Sequence, residues 1–394
     1  MSERFKIAIA GAGPIGMTLA MGLAVDGHNV TVYEKGEQLA EESRASTFHP
    51  SILDQLDTYG VVDDMLREGL KVPDFQYRER HGGIIAKFNF EAISDVTKFP
   101  YRLQLEQSRL TRIVLNNLEN YPNAKVEFNT LVEGISMGDD SVTAQLNANG
   151  SPREEMFDFV VGADGASSAV RKSLGIEFYG KTYPERYLVV STDFEFKNVM
   201  PELSYVNYIS DPEEWLLMLR TPNYWRIMFP IGENTSEDQA LSSGFAQERL
   251  HGIYPLEDEF PIRHSTLYRV HQRLASTYQS GRVVLAGDAA HINNPLGGLG
   301  MNSGLFDAFE LRKSFAAIAE GSDPLETLSD YGEKQRLVSL DYVGAQTDKN
   351  WAELRETDPE VKHERNLRMN ETAKDPAKHR DFLLRTSMYK LETV

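Results

Sequence analysis

The most constraining feature of this sequence is a glycine-rich turn near its beginning, Gly11-Ala-Gly13-Pro-Ile-Gly16. The apolar segment FKIAIAG before the turn predicts a strand that is buried on both faces. The segment PIGMTLAMGLAVDG after it predicts a helix that is capped by Gly27, and HNVTVYE predicts a second strand. Strand, glycine turn, helix and strand in this order form a βαβ unit, so the chain is expected to begin with a Rossmann-like parallel sheet.

Each glycine of this turn has its own physical task. Gly11 permits the tight turn, Gly13 lets a pyrophosphate approach backbone N–H groups, and Gly16 lets the helix pack closely on the strand. The helix start at Pro14 and Ile15 supplies partial positive charge for the phosphates. A tight turn without a ligand is the alternative, but the complete strand–turn–helix context favours a dinucleotide-binding site.

A carboxylate at the end of the second strand narrows the choice of dinucleotide. Glu34, followed by Lys35, comes twenty-three residues after Gly11. A carboxylate in this position accepts hydrogen bonds from an adenosine ribose. A free 2′-hydroxyl is therefore implied, which favours FAD or NAD over a 2′-phosphorylated nucleotide.

A second glycine-rich stretch lies far downstream, GDAAHINNPLGGLGMNSG at 287–304. Two apolar segments that end in acidic loops, VVGADG at 160–165 and VVLAGD at 283–288, predict strands that add to the first sheet. Asp288 would then lie beside the ligand crevice, where an acid suits the ribityl chain that FAD has and NAD lacks. A glycine-rich connector before a capped helix is the alternative.

The rest of this stretch suits the flavin ring itself. Its glycines leave backbone free to pass over a flat ring, and a long helix is predicted to follow. The start of that helix directs N–H groups and its dipole toward the ring edge where a reduced flavin carries negative charge. The flavin contacts predicted here are Gly298, Leu299, Gly300, Met301 and Asn302.

Together these segments resemble the single-component (class A) flavoprotein aromatic hydroxylases, the family of para-hydroxybenzoate hydroxylase. The resemblance covers about residues 5 to 320 and rests on three segments in family order. They are the glycine turn, Gly162-Ala-Asp164-Gly165 with Arg171, and Gly287-Asp288 with Pro295 and Gly300-Met301-Asn302. The resemblance implies that Arg44 and Gln107 contact FAD, and that Asp164 and Arg171 are shared between FAD and the nicotinamide cofactor.

The resemblance also implies the fold class, which is α/β. A Rossmann-like FAD-binding domain, at 1–71, 98–180 and 279–322, is expected to be interleaved with a mixed β-sheet substrate domain at 72–97 and 181–278. A C-terminal helical region at 323–394 would follow, either packing over both domains or forming a dimer interface. Helical spacing also appears at 52–70 and at 103–118, where a glutamine is expected to open the helix.

The implied enzyme is an FAD-dependent monooxygenase. It would use NADH or NADPH and O2 to hydroxylate a small phenolic or heteroaromatic substrate through a flavin C4a-hydroperoxide. Pro295 resembles the family's proline beside the reacting ring, and His49 is a candidate base for the phenol, although His49-Pro50 also suits a helix start. An oxidase or reductase of the same fold, or a flavin-fold binding protein without catalysis, are the alternatives.

Aromatic and basic residues of the predicted substrate domain are candidate contacts for the substrate. Arg220 or Arg226 can pair with a carboxylate, although a structural ion pair is the more common role for such an arginine. Most aromatic residues in such strands belong to the core. The candidates are Tyr205, Tyr208, Trp215, Tyr224, Trp225, Arg220 and Arg226.

Composition disfavours several other partners and chemistries. Forty-one basic and fifty-nine acidic residues give a net charge of −18, which repels nucleic acid and anionic lipid. The absence of cysteine excludes disulfides and catalytic thiols. No run reaches the ~18 apolar residues of a membrane span, and no metal-binding pattern occurs. We therefore expect a cytoplasmic, metal-free enzyme, with a homodimer left open.

Overall fold

The computed structural model describes residues 4–41, 45–211 and 214–390. Its strands are β1 (Lys6–Ala10), β2 (Asn29–Tyr33), β3 (Thr47–Phe48), β4 (Leu70–Val72), β5 (Asp74–Glu79), β6 (Gly83–Asn89), β7 (Arg102–Gln104), β8 (Ala124–Glu127), β9 (Thr130–Met137), β10 (Val142–Ala148), β11 (Ser151–Phe157), β12 (Phe159–Gly162), β13 (Phe178–Thr192), β14 (Val206–Ser210), β15 (Leu216–Arg220), β16 (Trp225–Ile231), β17 (Ile262–Ala275), β18 (Gln279–Ser280), β19 (Val283–Leu285) and β20 (His291–Ile292).

The helices are α1 (Pro14–Val25), α2 (Pro50–Asp57), α3 (Val62–Glu68), α4 (Gln107–Leu118), α5 (Ala169–Ser173), α6 (Glu237–Ala240), α7 (Ser243–His251), α8 (Leu299–Ala319), α9 (Pro324–Leu337), α10 (Ala345–Arg355), α11 (Pro359–Lys374) and α12 (Pro376–Thr386). Short 3₁₀ turns lie at Phe90–Ile93, Phe196–Asn198 and Gly287–Ala289, and a π-helical turn at Val338–Gly344 joins α9 to α10. No helix of the described ranges is both long and apolar enough to cross a membrane.

Three distant parts of the chain meet in one sheet with the strand order β18-β19-β12-β1-β2-β8. β1 lies between β2 and β12 in parallel register, and β19 runs parallel to β12. These strands are apolar because α1, α4 and α8 cover one face of the sheet while the β9–β11 layer packs on the other. The prediction that both late strands join the first sheet is confirmed. Their carboxyl ends therefore meet at one edge.

The largest sheet of the described structure is mixed and has the strand order β20-β17-β13-β16-β15-β14-β5-β6. Its strand register brings a set of side chains from β13 to β16 onto one face, since Met228 lies opposite both Val189 and Leu217, and Leu219 lies opposite both Val206 and Arg226. We call this face the sheet wall. Its members are Val189, Val206, Tyr208, Leu217, Leu219, Arg226 and Met228.

Two of the segments with helical spacing differ from the prediction. The segment 52–70 holds two helices, because Gly60, at φ +73°, ends the turn after α2 and α3 starts at Val62. The segment 103–118 begins as β7, which pairs with β3 and β4, so tertiary pairing overrides the helical spacing there. The helix itself begins at Gln107, as expected.

Candidate active site

A cavity of about 560 Å³ lies between the carboxyl ends of the parallel strands and the sheet wall. The predicted site residues that line it are Gly11, Gly13, Pro14, Ile15, Glu34, Lys35, Gln107, Asp164, Asp288, Pro295, Gly298, Gly300, Met301, Tyr208 and Arg226. Gly16, His49, Arg171, Leu299 and Asn302 lie behind this lining. Arg44 lies outside the described residues. Within the described ranges, no group of three or more His, Asp or Glu side chains could hold a metal ion.

The glycine turn divides its tasks between fold and ligand. A Cβ on Gly16 would lie 2.1 Å from the carbonyl oxygen of Gly11, so helix and strand approach too closely for any side chain. A Cβ on Gly13 would meet no protein atom within 4 Å, and the helix start at this residue has no side-chain cap. Gly13 therefore keeps space and backbone N–H groups open to a ligand.

Glu34 is held so that it closes the turn. Its Oε2 accepts a hydrogen bond from the Ala12 N–H and its Oε1 accepts one from the Gly36 N–H, each at 2.9 Å. The carboxylate also lines the cavity. Its remaining acceptor capacity therefore faces the position where an adenosine ribose would lie.

The two acidic loops are joined by Arg171, which lies behind the cavity. Its guanidinium donates to the carbonyl oxygens of Ala289 and Ala166, each at 2.8 Å. Asp164 accepts from the backbone N–H groups of Ala169 and Val170 through Oδ2. Its Oδ1 is buried without a hydrogen-bond partner in the described chain. Arg171 thus fixes the loops, and Asp164 presents an unused acceptor at the cavity.

The Pro295–Gly298 loop turns the chain into α8. Gly297 and Gly298 have φ values of +105° and +68°, which favour glycine, and the start of α8 has no side-chain cap. Asn302 holds this start, because its Oδ1 accepts from the His49 N–H and its Nδ2 donates to the carbonyl oxygens of Thr47 and Gly298. Leu299 is buried among residues of the C-terminal helices. Leu299 and Asn302 therefore position the helix start.

These features fit FAD. The open space at Gly13, the unpartnered Oδ1 of Asp164 and the uncapped starts of α1 and α8 are arranged along one continuous cavity. Two helix starts with free N–H groups suit the pyrophosphate at one end and an electron-rich ring edge at the other. Glu34, Asp164 and Asp288 supply oxygen acceptors along the cavity.

His49 is completely buried and touches the Pro295–Gly298 loop. Its Nε2 lies 3.3 Å from the carbonyl oxygen of Gly297, and its Nδ1 has no hydrogen-bond partner among the described residues. Burial, together with the nearby positive charge of Arg102, holds the pKa of His49 well below its usual value. The imidazole is therefore neutral and donates to the loop. Its role as a base stays a prediction.

The predicted substrate contacts separate into two groups. Tyr208 and Arg226 belong to the sheet wall and line the cavity, whereas Tyr205, Trp215 and Arg220, like Tyr224 and Trp225, do not. Arg220 forms an ion pair with Glu195 at 3.1 Å. Trp215 packs edge-on against Tyr187 in the core.

Two buried arginines at the cavity have no acidic partner. The guanidinium of Arg226, which is 7% exposed, forms no hydrogen bond or ion pair with any residue of the described ranges, so the expectation of a structural ion pair is wrong for this residue. Arg102, 3% exposed, likewise lacks such a partner in the described chain and lies over the Phe75 ring at 4.4 Å. Sequence reasoning missed Arg102, which directly precedes the segment 103–118 interpreted as helical, although a lone charge among apolar and aromatic neighbours is a usable signal.

Comparisons with known proteins agree with this geometry. A family model described as an FAD binding domain matches residues 4–345. The para-nitrophenol 4-monooxygenase of a Pseudomonas species is 31% identical over 96% of this chain and 94% of its own length. The 6-hydroxy-3-succinoylpyridine 3-monooxygenase of Pseudomonas putida is 30% identical over 90% of both chains. The crystal structure of p-nitrophenol 4-monooxygenase from Pseudomonas putida matches 98% of this chain and 99% of its own with a TM-score of 0.91 at 29% identity.

Proposed function

Because this chain belongs to the FAD-binding family of flavoprotein aromatic hydroxylases and is an FAD-dependent monooxygenase, we propose a substrate class for it. The substrate is a small phenol or hydroxypyridine whose ring carries an anionic or nitro group opposite the hydroxyl. NADH or NADPH serves as the reductant and O2 as the co-substrate.

The pair of buried arginines at the cavity carries this proposal. A guanidinium that is buried without an acidic partner opposes folding. Its presence at a cavity therefore indicates a role in binding a ligand. Arg102 and Arg226 both line the cavity of a chain whose net charge is −18. An anionic ligand between the apolar wall and these two groups gains charge-assisted hydrogen bonds. A phenolate with a second substituent whose oxygen atoms carry negative charge matches both positive groups.

The names of the relatives support the same chemistry. One acts on para-nitrophenol at ring position 4, which carries the nitro group. The other acts on 6-hydroxy-3-succinoylpyridine at position 3, which carries the succinoyl group. In both names the position attacked already bears a substituent and lies opposite the hydroxyl. We propose the same regiochemistry for this enzyme.

The chain's own residues prepare the ring for reaction. FAD, when bound and reduced, activates O2 and supplies the oxygen atom. Arg102 and Arg226 stabilise the phenolate form of the substrate, which makes its ring electron-rich toward an electrophilic oxygen. The apolar side chains of the sheet wall exclude water from the reacting ring. The uncapped start of α8 places its positive end where negative charge develops.

A substrate panel tests the proposal. Purified holoenzyme is mixed with NADH or NADPH and with 4-nitrophenol, 4-hydroxybenzoate, 6-hydroxynicotinate or the neutral control 4-methylphenol. We expect the first three to stimulate cofactor oxidation and oxygen uptake and to yield a product oxygenated opposite the hydroxyl. The bond from the ring to the original substituent breaks in this step, so nitrite should be released from 4-nitrophenol, leaving benzoquinone, and carbon dioxide should be released from the two carboxylates. Preference for 4-methylphenol would contradict the substrate class. Hydrogen peroxide as the only product with every phenol would favour an oxidase of the same fold.

Assembly and location complete the proposal. We propose a cytoplasmic homodimer that does not bind nucleic acid. The net charge of −18 and the absence of cysteine support the location and the lack of nucleic acid. Leu325, Leu337 and Leu340 are large exposed apolar side chains on α9 and the following π-helical turn, which supports a dimer contact. Light scattering of the purified holoenzyme tests the oligomeric state.

A further inference from the structure

A residue of the C-terminal helices reaches the Pro295–Gly298 loop. Asn350 of α10 donates from Nδ2 to the carbonyl oxygen of Leu296 at 3.2 Å. Its Oδ1 accepts from Gln346 Nε2 at 2.9 Å, which fixes the orientation of the amide. A Cβ on Gly297 would lie 2.8 Å from Asn350 Nδ2, so the side chain packs directly on the loop.

Three consecutive carbonyl groups of the loop are each bound by a different part of the chain. Leu296 O accepts from Asn350, Gly297 O lies against His49 Nε2, and Gly298 O accepts from Asn302 Nδ2. The donors come from α10, from the residue before α2, and from α8. Since Gly297 and Gly298 have no side chains of their own, these donors determine where the loop backbone lies.

The same helix is attached to the substrate sheet. Trp351 Nε1 donates to Glu185 at 2.7 Å, and Arg355 pairs with the same carboxylate at 2.6 Å. Asp348 pairs with Lys181 at 2.9 Å and accepts from the Tyr183 hydroxyl. Glu185, Lys181 and Tyr183 all belong to β13, which also contributes to the sheet wall. Movement of β13 relative to the loop is therefore resisted through α10.

We propose that Asn350 is a positioning residue that ties the Pro295–Gly298 loop to the substrate sheet and so couples cofactor oxidation to hydroxylation. Pro295 and Gly298 line the cavity, and a loop held in one place excludes water from the reacting ring. When the loop is free to move, water enters and the reducing equivalents are lost to hydrogen peroxide. The inference rests on the FAD-dependent monooxygenase activity and not on the substrate class proposed above.

Variants on the same helix test this proposal. Asn350→Asp keeps the size of the side chain but loses the donor, and Asn350→Ala loses the donor without adding charge. Thr347→Val is the matched control, because it removes a buried hydroxyl of α10 whose hydrogen bonds go to the carbonyl oxygens of Val343 and Gly344 and to neither the loop nor β13. Amide hydrogen exchange of the holoenzyme reports on the loop through the Gly298 N–H, which donates to Pro295 O at 3.0 Å.

Loss of one hydrogen bond corresponds to about twofold to 13-fold faster exchange of the Gly298 amide in both Asn350 variants. We also expect an altered absorbance spectrum of the bound flavin. With any phenol that stimulates cofactor oxidation, more hydrogen peroxide should form per product, with kcat for product lowered and KM little changed. Unchanged exchange and coupling would overturn the proposal. Equal effects from Thr347→Val would also overturn it, since α10 would then act through general stability.

Discussion

Replacing Arg226 with methionine is expected to stabilise the folded enzyme and to weaken substrate binding at the same time. The guanidinium is buried at 7% exposure and has no hydrogen bond or ion pair with the described part of the chain. A buried charge without a partner opposes folding. Methionine has a similar length and suits the apolar sheet wall beside Leu219 and Met228. The substitution therefore removes a cost of folding and leaves no large void.

The magnitudes follow from general energetics. An unsatisfied buried polar group costs about 1–3 kcal/mol, and a charged one more. At roughly 2–4 °C per kcal/mol for chains of 150–250 residues, the melting temperature should rise by about 2–12 °C, toward the lower end for 394 residues. A lost hydrogen bond to a charged group weakens anion binding by about 1.5–3 kcal/mol, which is about 10-fold to 140-fold in Kd.

Two measurements and one control variant test the expected effects of Arg226→Met on stability and on substrate binding. Melting is followed on the holoenzyme, and the Kd for 4-nitrophenol is obtained by titrating the flavin spectrum without reductant. Arg220→Met is the control, because Arg220 also lies in the substrate sheet but pairs with Glu195 outside the cavity. The control should lower stability and leave the Kd unchanged. A less stable Arg226→Met variant with unchanged Kd would refute the reasoning.

Four further substitutions test the FAD end and the loop. Gly13→Ala should fold with an unchanged melting temperature of the apoprotein yet lose FAD on dialysis, because a Cβ there meets no protein atom. Gly16→Ala should fail to give soluble protein, because its Cβ would lie 2.1 Å from the carbonyl oxygen of Gly11. Equal FAD retention by Gly13→Ala and wild type would contradict the assignment of Gly13 to the ligand. Glu34→Gln should raise the Kd for FAD about tenfold, measured by ultrafiltration, since an amide cannot accept from both the Ala12 and Gly36 N–H groups. His49→Gln should remove an acid-side loss of stability. The folded pKa of His49 lies below its unfolded value, so its contribution is present above about pH 6.5 and falls by up to ~1.4 kcal/mol per pH unit below it. Parallel melting curves of both proteins between pH 5 and 7 would contradict that assignment.

The nucleotide end of the molecule was predictable because its signals are local or periodic. The glycine turn, Glu34 and the apolar strands at 160–165 and 283–288 each carry their own pattern, and parallel strands align their carboxyl ends by necessity. Asp288 follows β19, as these patterns predict, and Gln107 opens α4, as the family resemblance implies. The division into domains at the predicted boundaries stays a prediction.

The substrate end was less predictable because pairing there is a property of the folded chain. Arg220 and Arg226 look alike in the sequence, but only Arg220 meets a carboxylate, from Glu195 on another segment. No local pattern shows which of the two arginines lacks an acid. Arg102 was missed for a different reason. It directly precedes a segment whose spacing is helical, and the strand β7 that begins with it is formed by tertiary pairing with β3 and β4. Asn350 has no signal in the sequence at all.

The motif residues fall into two groups for a physical reason. Glycines line the cavity so that backbone can approach the ligand, and a glycine-rich backbone has no side chains with which to fix itself. Its position must then be determined by polar side chains from elsewhere. Arg171 binds the carbonyl groups of both acidic loops, Asn302 holds the start of α8, and His49 and Asn350 hold the Pro295–Gly298 loop. These four residues lie behind the cavity lining, so substitutions of them should alter coupling and cofactor retention more than substrate affinity.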